Sequence, residues 1–259
     1  MPRILTCVKS VPDPADEVAF TADHTIERPA SGGLLSPLDE YAVEQALRLR
    51  AALPGATVSA LTVGPPPAEG ALRKALQLGA DDAYLVTDEV IAGSDVFGTV
   101  EVLAAAVRSL PDVTVVLCGM SSTDGDLGVL PALLADALGW PLLSMASSVT
   151  VSETGLWIER TDEVGTRTVE ATLPAVVSVT DQSGEVRYPS FKEVMAAKKR
   201  TVTTLDLAAL GVEPALVGAG AARVQVSAVT RNPDRPPGRV LLDHDGSSVD
   251  ELLAFLTAN

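Results

Sequence analysis

The chain has 259 residues, room for one large α/β domain with extensions or two small ones, and a formal net charge of −15. That acidity argues against nucleic acid as a partner, because phosphate contacts demand a positive face. Hydrophobic residues reach 47% with only 3% aromatics, so the core is built from Ala, Val and Leu, a palette that suits parallel strands covered by helices.

RILTCVK (3–9) reads as a first strand, followed by a long polar loop to about position 35. The flanking MPRILTCVKS has no signal-peptide layout. With no run of about 18 apolar residues anywhere, a cytoplasmic protein without membrane insertion is expected. Cys7 and Cys118, each inside an apolar run, read as two buried free thiols in a reducing compartment. A helix is predicted over 36–53: Ser36 offers the cap, Pro37 fits the first turn, and Ser36 with Asp39 makes a capping-box pattern. TVSALTV (57–63) is the second strand, closed by Gly64-Pro65-Pro66-Pro67. A helix over 68–78 stops at Gly79, and AYLV (83–86) is the third strand. A helix over 96–110, a strand over 112–119 and a helix over 128–140 continue the series.

This alternation predicts a doubly wound, Rossmann-like, mostly parallel sheet. Ligands bind such sheets at the carboxyl ends of the strands, near the switch in strand order. Segments 7–14, 36–39, 63–67 and 119–130 are expected to meet there. Past 145 the grammar changes: SSVTVSETGLWIER and GTRTVEATL alternate like an added antiparallel hairpin, and LPAVVSVT (173–180) is an aliphatic strand. After 200 the chain turns rich in Gly, Pro and Ala, with NPDRPPG at 232–238 and a last short helix expected at 248–256. Residues 1–200 are thus expected to form the α/β domain, and 201–259 an extended arm packing on a partner.

Chemistry-bearing motifs are few. GMSSTDGDLG (119–128) leaves a strand and enters a helix, where exposed backbone N–H groups attract phosphate; an ordinary connection rich in turn formers reads the same way. SGGLLS (31–36) is similar to the SGGxDS loop of adenylating enzymes, but Leu35 stands where that chemistry needs Asp, so it reads as a turn before Ser36. GAGAAR (218–223) lacks the third glycine of a dinucleotide fingerprint and reads as linker. His24 and His244 stand alone, and no G-x-S-x-G elbow is present. Nucleotide-type architecture without an acid, base or nucleophile constellation favours binding over catalysis.

RYPSFKEVMAAKKR (187–200) gathers five basic residues and one acid within this acidic chain. Two readings stay open. Lys198 to Arg200 suit a solvated helix end complementing the dipole, with Phe191 in the core; or the segment is a docking surface.

The stretch from Glu159 to Arg200 that contains it resembles the signature region of electron transfer flavoprotein beta subunits. CVKSVPD (7–13), SPLDEYAVEQAL (36–47), RKALQLGAD (73–81) and STDGDLG (122–128) agree with that family. The resemblance implies a non-catalytic half of a heterodimer whose FAD is held mostly by an alpha subunit. Electrons would arrive from acyl-CoA dehydrogenases and similar flavoenzymes of fatty acid oxidation, and leave to electron transfer flavoprotein-quinone oxidoreductase. It also implies a structural AMP in this subunit. The family's contacts fall on Cys7, on Ser36, Pro37, Leu38 and Asp39, and on Val63. They continue along the loop Gly119, Met120, Ser121, Ser122, Thr123, Asp124, Gly125, Asp126, Leu127, Gly128, Val129 and Leu130.

This chain departs from the family in two places. Many relatives carry Asn where Ser36 stands, and side-chain donors where Val129-Leu130-Pro131 stand, which leaves phosphate to the backbone amides. Pro14 and Leu38 align near the flavin ring. In the family the residue at Phe191 anchors the dehydrogenase, with Tyr188, Met195, Lys198 and Lys199 beside it; one such buried aromatic supplies ~2 kcal/mol. Two alternatives are a bifurcating type with its own FAD in place of AMP, and an adenylating enzyme.

Overall fold

Aliphatic strands and amphipathic helices alternate in the computed structural model, which describes residues 1–233, 235, 237, 238, 240–242 and 246–257. In chain order the first half runs β1 (Arg3–Cys7), β2 (Ser10–Val11), β3 (Leu34–Leu35), α1 (Pro37–Ala52), β4 (Thr57–Val63), α2 (Glu69–Leu78), β5 (Asp82–Val86), α3 (Val96–Ser109), β6 (Val113–Gly119) and α4 (Leu130–Leu138). The second half runs β7 (Leu142–Ala146), β8 (Ser148–Val151), β9 (Gly155–Asp162), β10 (Gly165–Thr172), β11 (Ala175–Val179), α5 (Phe191–Ala197), β12 (Val202–Leu205), α6 (Leu207–Leu210) and α7 (Ser247–Thr257).

The main sheet has seven strands in the order β12-β5-β4-β1-β6-β11-β7, and the strand pairs are parallel. Both faces are covered, so consecutive residues are buried on opposite sides. Ile4 packs with Val43, Leu47, Leu72 and Leu76 of α1 and α2, while Leu5 packs with Leu103, Val107 and Leu134 of α3 and α4. From β1 the chain adds β4 and β5 on one side, then returns to lay β6 on the other. That reversal sets the crevice between the tips of β1 and β6.

The expected doubly wound sheet is present, with four local differences. The helix expected over 128–140 stops at Leu138, because Gly139 takes the left-handed conformation at φ 69° and closes it; β7 follows. The expected hairpin is a three-stranded sheet, β10-β9-β8. SGGLLS is more than a turn: β3 pairs with β2, and a Cβ on Gly33 would lie 2.0 Å from the Val11 carbonyl oxygen. GAGAAR packs as a short turn whose Ala219 N–H donates to the Ala92 carbonyl at 3.2 Å.

The compact unit also continues beyond 200. β12 pairs with β5 at the sheet edge, and the unit runs Met1–Ser227. The second unit, Ala228–Asn259, holds α7, close to the expected 248–256. His244 and part of NPDRPPG lie outside the described residues. Among the described residues, no helix is long and apolar enough to cross a membrane.

Candidate functional site

Each segment expected to form the site reaches the carboxyl edge of the sheet. Cys7 ends β1, Ser36 to Asp39 begin α1, Val63 ends β4, and the loop from Gly119 to Leu130 leaves β6 and enters α4. Cys7 and Cys118 are free and buried; contact with Cys7, and then burial, push the Cys118 thiol up, which makes it a poor nucleophile.

The start of α1 departs from its expected geometry. Pro37 occupies the first turn and Ser36 is the cap residue, but the Ser36 hydroxyl makes no capping bond. The expected capping box is absent because the Asp39 carboxylate is claimed elsewhere: Oδ2 accepts from the Lys9 backbone N–H at 2.8 Å, and the Gly119 backbone donates to the same group. Ser36 N–H donates to the Lys9 carbonyl at 2.9 Å. Asp39 thereby ties the tip of β1 to the tip of β6 across the switch point.

Glycine at 119 is required by this close approach. A Cβ there would sit 2.6 Å from Asp39 Oδ1 and 2.8 Å from the Leu38 carbonyl oxygen. Burial raises the Asp39 pKa to about 7, against the amides of Lys9 and Gly119 and the Lys9 charge, with Asp124 adding to the rise. Ser36 Oγ is fully buried and has no hydrogen-bond partner among the described residues. A buried hydroxyl left unmatched costs about 1–3 kcal/mol, so a polar group brought into the crevice would relieve it.

Charge at the mouth is concentrated on one carboxylate. Asp124, its side chain only 3% exposed, receives Lys9 Nζ at 2.8 Å and the Arg28 guanidinium. Burial alone would raise its pKa, but Lys9, Ser122 and Arg28 outweigh it and hold the carboxyl well below the usual range. Lys9 Nζ also donates to Ser122 Oγ at 3.3 Å. Sequence reasoning did not single out Lys9 or Arg28. Lys9 stands two residues past Cys7 in a segment already expected at the crevice, whereas nothing local marks Arg28.

The loop itself mixes exposures. Met120, Ser121 and Ser122 are half-buried, Thr123 and Gly125 to Val129 are exposed, and Leu127 and Val129 present apolar side chains to solvent. Val129, Leu130 and Pro131 carry no side-chain donors, and proline has no N–H, so the backbone amides of Val129 and Leu130 are the donors there.

A second candidate region lies past β11. Ser190 and Glu193 form a reciprocal capping box that starts α5 at Phe191. Phe191 is 81% exposed and Tyr188 95%, with Met195 partly exposed beside them. The alternative that put Phe191 in the core is therefore excluded. Lys192, Lys198 and Lys199 are exposed, but two of the five basic residues are otherwise engaged. Arg187 chelates buried Glu44, with Nε to Oε2 at 2.6 Å and a second guanidinium nitrogen to Oε1 at 3.2 Å. Arg200 leans toward Asp81 at 3.9 Å.

Glu44, held below its ordinary value by Arg187 and Arg48 despite burial, belongs to α1. So does Gln45, whose Nε2 donates to the Ser183 carbonyl at 2.6 Å. One helix therefore carries the crevice carboxylate at its start and the struts of the exposed loop further along.

Comparison with known proteins identifies the family. The model of the electron transfer flavoprotein domain matches residues 23–210. An electron transfer flavoprotein subunit beta of Mycobacterium leprae is 40% identical, over 100% of this chain and 98% of that protein. Its counterpart in Megasphaera elsdenii is 32% identical over 99% and 98%. An acryloyl-CoA reductase electron transfer subunit gamma of Anaerotignum propionicum is 31% identical over 97% and 96%. The chain belongs to the electron transfer flavoprotein family, among its beta subunits.

Proposed function

We propose that this subunit holds AMP as a structural ligand in the crevice between β1 and β6, and helps the alpha subunit hold FAD. Beta subunits of this family are electron carriers rather than enzymes, and FAD, when bound, supplies the redox chemistry. The observation that carries the nucleotide reading is the buried, unpartnered Ser36 hydroxyl at a switch point rimmed by backbone amides. The residues present fit such a ligand. The loop from Gly119 to Leu130 offers N–H groups toward a phosphate, and Pro14 and Leu38 offer apolar contact to a flavin ring.

In this reading Phe191 enters an apolar pocket on acyl-CoA dehydrogenases and similar flavoenzymes. Tyr188 and Met195 broaden that contact, while Lys198 and Lys199 steer acidic partner surfaces. An exposed anchor on a small interface suits a carrier that must let go. Electrons then pass to electron transfer flavoprotein-quinone oxidoreductase and the quinone pool, with the whole cycle in the cytoplasm. The arm at the end of the chain packs on the alpha subunit.

A second reading puts an FAD of this subunit's own in place of AMP; the similarity to the electron transfer subunit of an acryloyl-CoA reductase favours keeping it in view. Denaturing the copurified alpha–beta pair and identifying the released nucleotides separates the two. AMP and FAD in equal amounts is the expected result; FAD alone, at two per pair, overturns the AMP assignment.

A further inference from the structure

The long polar segment between β2 and β3 is not a free loop. Its returning half touches all three strand tips that border the crevice. Arg28 reaches the β6 loop through Asp124 and donates from its other terminal nitrogen to the Ser10 carbonyl, just past β1, at 2.9 Å. Four residues later Gly32 passes the turn after β4, so closely that a Cβ would lie 2.7 Å from the Pro67 carbonyl oxygen. Its φ of 91° is also one that side chains rarely adopt. The segment 28–33 therefore runs from the β6 loop to the β4 turn and crosses the β1 tip on the way.

Two kinds of hold fix it. At the far end the backbone itself is locked, by β2–β3 pairing and by the Gly33 N–H donating to Ser10 Oγ at 3.2 Å. At the near end the hold is one side chain, Arg28, which grips Asp124 through a charged contact and the Ser10 carbonyl through a second hydrogen bond. Asp124 in turn is oriented by Lys9 and by the Gly125 N–H at 2.7 Å, and its side chain is almost fully enclosed. A charged pair with one enclosed partner is stronger than an open surface pair, yet it breaks without unfolding anything.

We infer that Arg28 is a positioning residue whose contact with Asp124 latches the 12–33 segment across the crevice and sets how fast a bound nucleotide leaves. The inference rests on the nucleotide reading for its ligand, but the latch itself rests on contacts within the chain. Arg28 touches neither the Ser36 hydroxyl nor the Asp39 carboxylate, so its removal opens the strap and leaves the crevice floor in place.

The test uses the full chain copurified with its alpha subunit, as wild type, Arg28→Ala and Arg28→Lys. Exchange of bound AMP against labelled AMP is followed together with hydrogen exchange of the 12–33 amides. Arg28→Ala is expected to release AMP about tenfold faster and to speed amide exchange in 12–33, with Arg28→Lys recovering most of both. Faster amide exchange with an unchanged AMP rate would overturn the gating role. Unchanged amide exchange would overturn the latch. A wild-type complex that carries no AMP would overturn the nucleotide reading and the gating built on it; faster 12–33 exchange in Arg28→Ala would then still support the latch.

Discussion

The crevice and the Phe191 loop are built by opposite means from the same helix. At the first turn of α1 a charged group, Asp39, is taken out of water and pinned between two backbone amides. Further along the helix, Glu44, Gln45 and Arg48 brace a loop that sends Tyr188 and Phe191 into water. Hiding polar groups suits a ligand that stays; exposing apolar ones suits a partner that comes and goes. Under the proposed function, the carrier would separate permanent from transient binding by burial.

The largest effect that would test the contrast is one of pH. An ordinary Asp titrates at 3.8, and burial moves Asp39 to about 7 in the folded chain. Between those values the folded state keeps a proton that the unfolded chain has released. The stability this group contributes is therefore full below the unfolded value and is lost as pH rises toward the folded one. Asp39→Asn removes the titration. Urea unfolding is expected to show the variant gaining about 4 kcal/mol relative to wild type between about pH 4 and pH 8. A flat difference would mean that the carboxylate is not desolvated. Asp124 carries the opposite sign, since its lowered pKa gives stability that fades as pH falls below the ordinary value.

Next in size is Gly119→Ala, which forces a methyl group against Asp39 Oδ1 and the Leu38 carbonyl. A loss of about 3 kcal/mol in denaturant unfolding is expected, together with weaker nucleotide retention. Phe191→Ala is the converse. Its side chain is 81% exposed, so stability stays within about 0.5 kcal/mol of wild type. Electron transfer from an acyl-CoA dehydrogenase, followed by stopped flow, is expected to slow ~30-fold, equivalent to ~2 kcal/mol, while FAD content holds. Smallest is Glu44→Gln, which weakens the Arg187 strut. About 1.5 kcal/mol of stability and a severalfold slower transfer are expected, because the loop is held less firmly although its anchor is intact.

These regions were not equally legible in the sequence. Aliphatic runs and helical spacing marked the core of the sheet, since strands buried on both faces leave no alternation to misread. β12 escaped notice because only four residues, Val202–Leu205, pair at an edge where the outward side chains are polar. Gly139 carried the signal that ends α4, yet the apolar Trp140 beyond it extended the helical pattern. At Ser36 and Asp39 a local pattern misled, because amides distant in sequence outcompeted the cap for the carboxylate. Arg28 meets Asp124 across 96 positions, a contact that no spacing rule reaches. Phe191 drew attention through its charged surroundings, but only the family resemblance favoured a docking role over a place in the core, because an aromatic before a short helix suits either.

The proposed function depends most on a nucleotide held through the Ser36 hydroxyl, and native mass spectrometry of the intact heterodimer, wild type beside Ser36→Val, addresses this directly. One AMP and one FAD in the wild type, with AMP lost and FAD kept in the variant, is the predicted outcome. A wild type without AMP, or a Ser36→Val complex that retains it in full, would contradict the account.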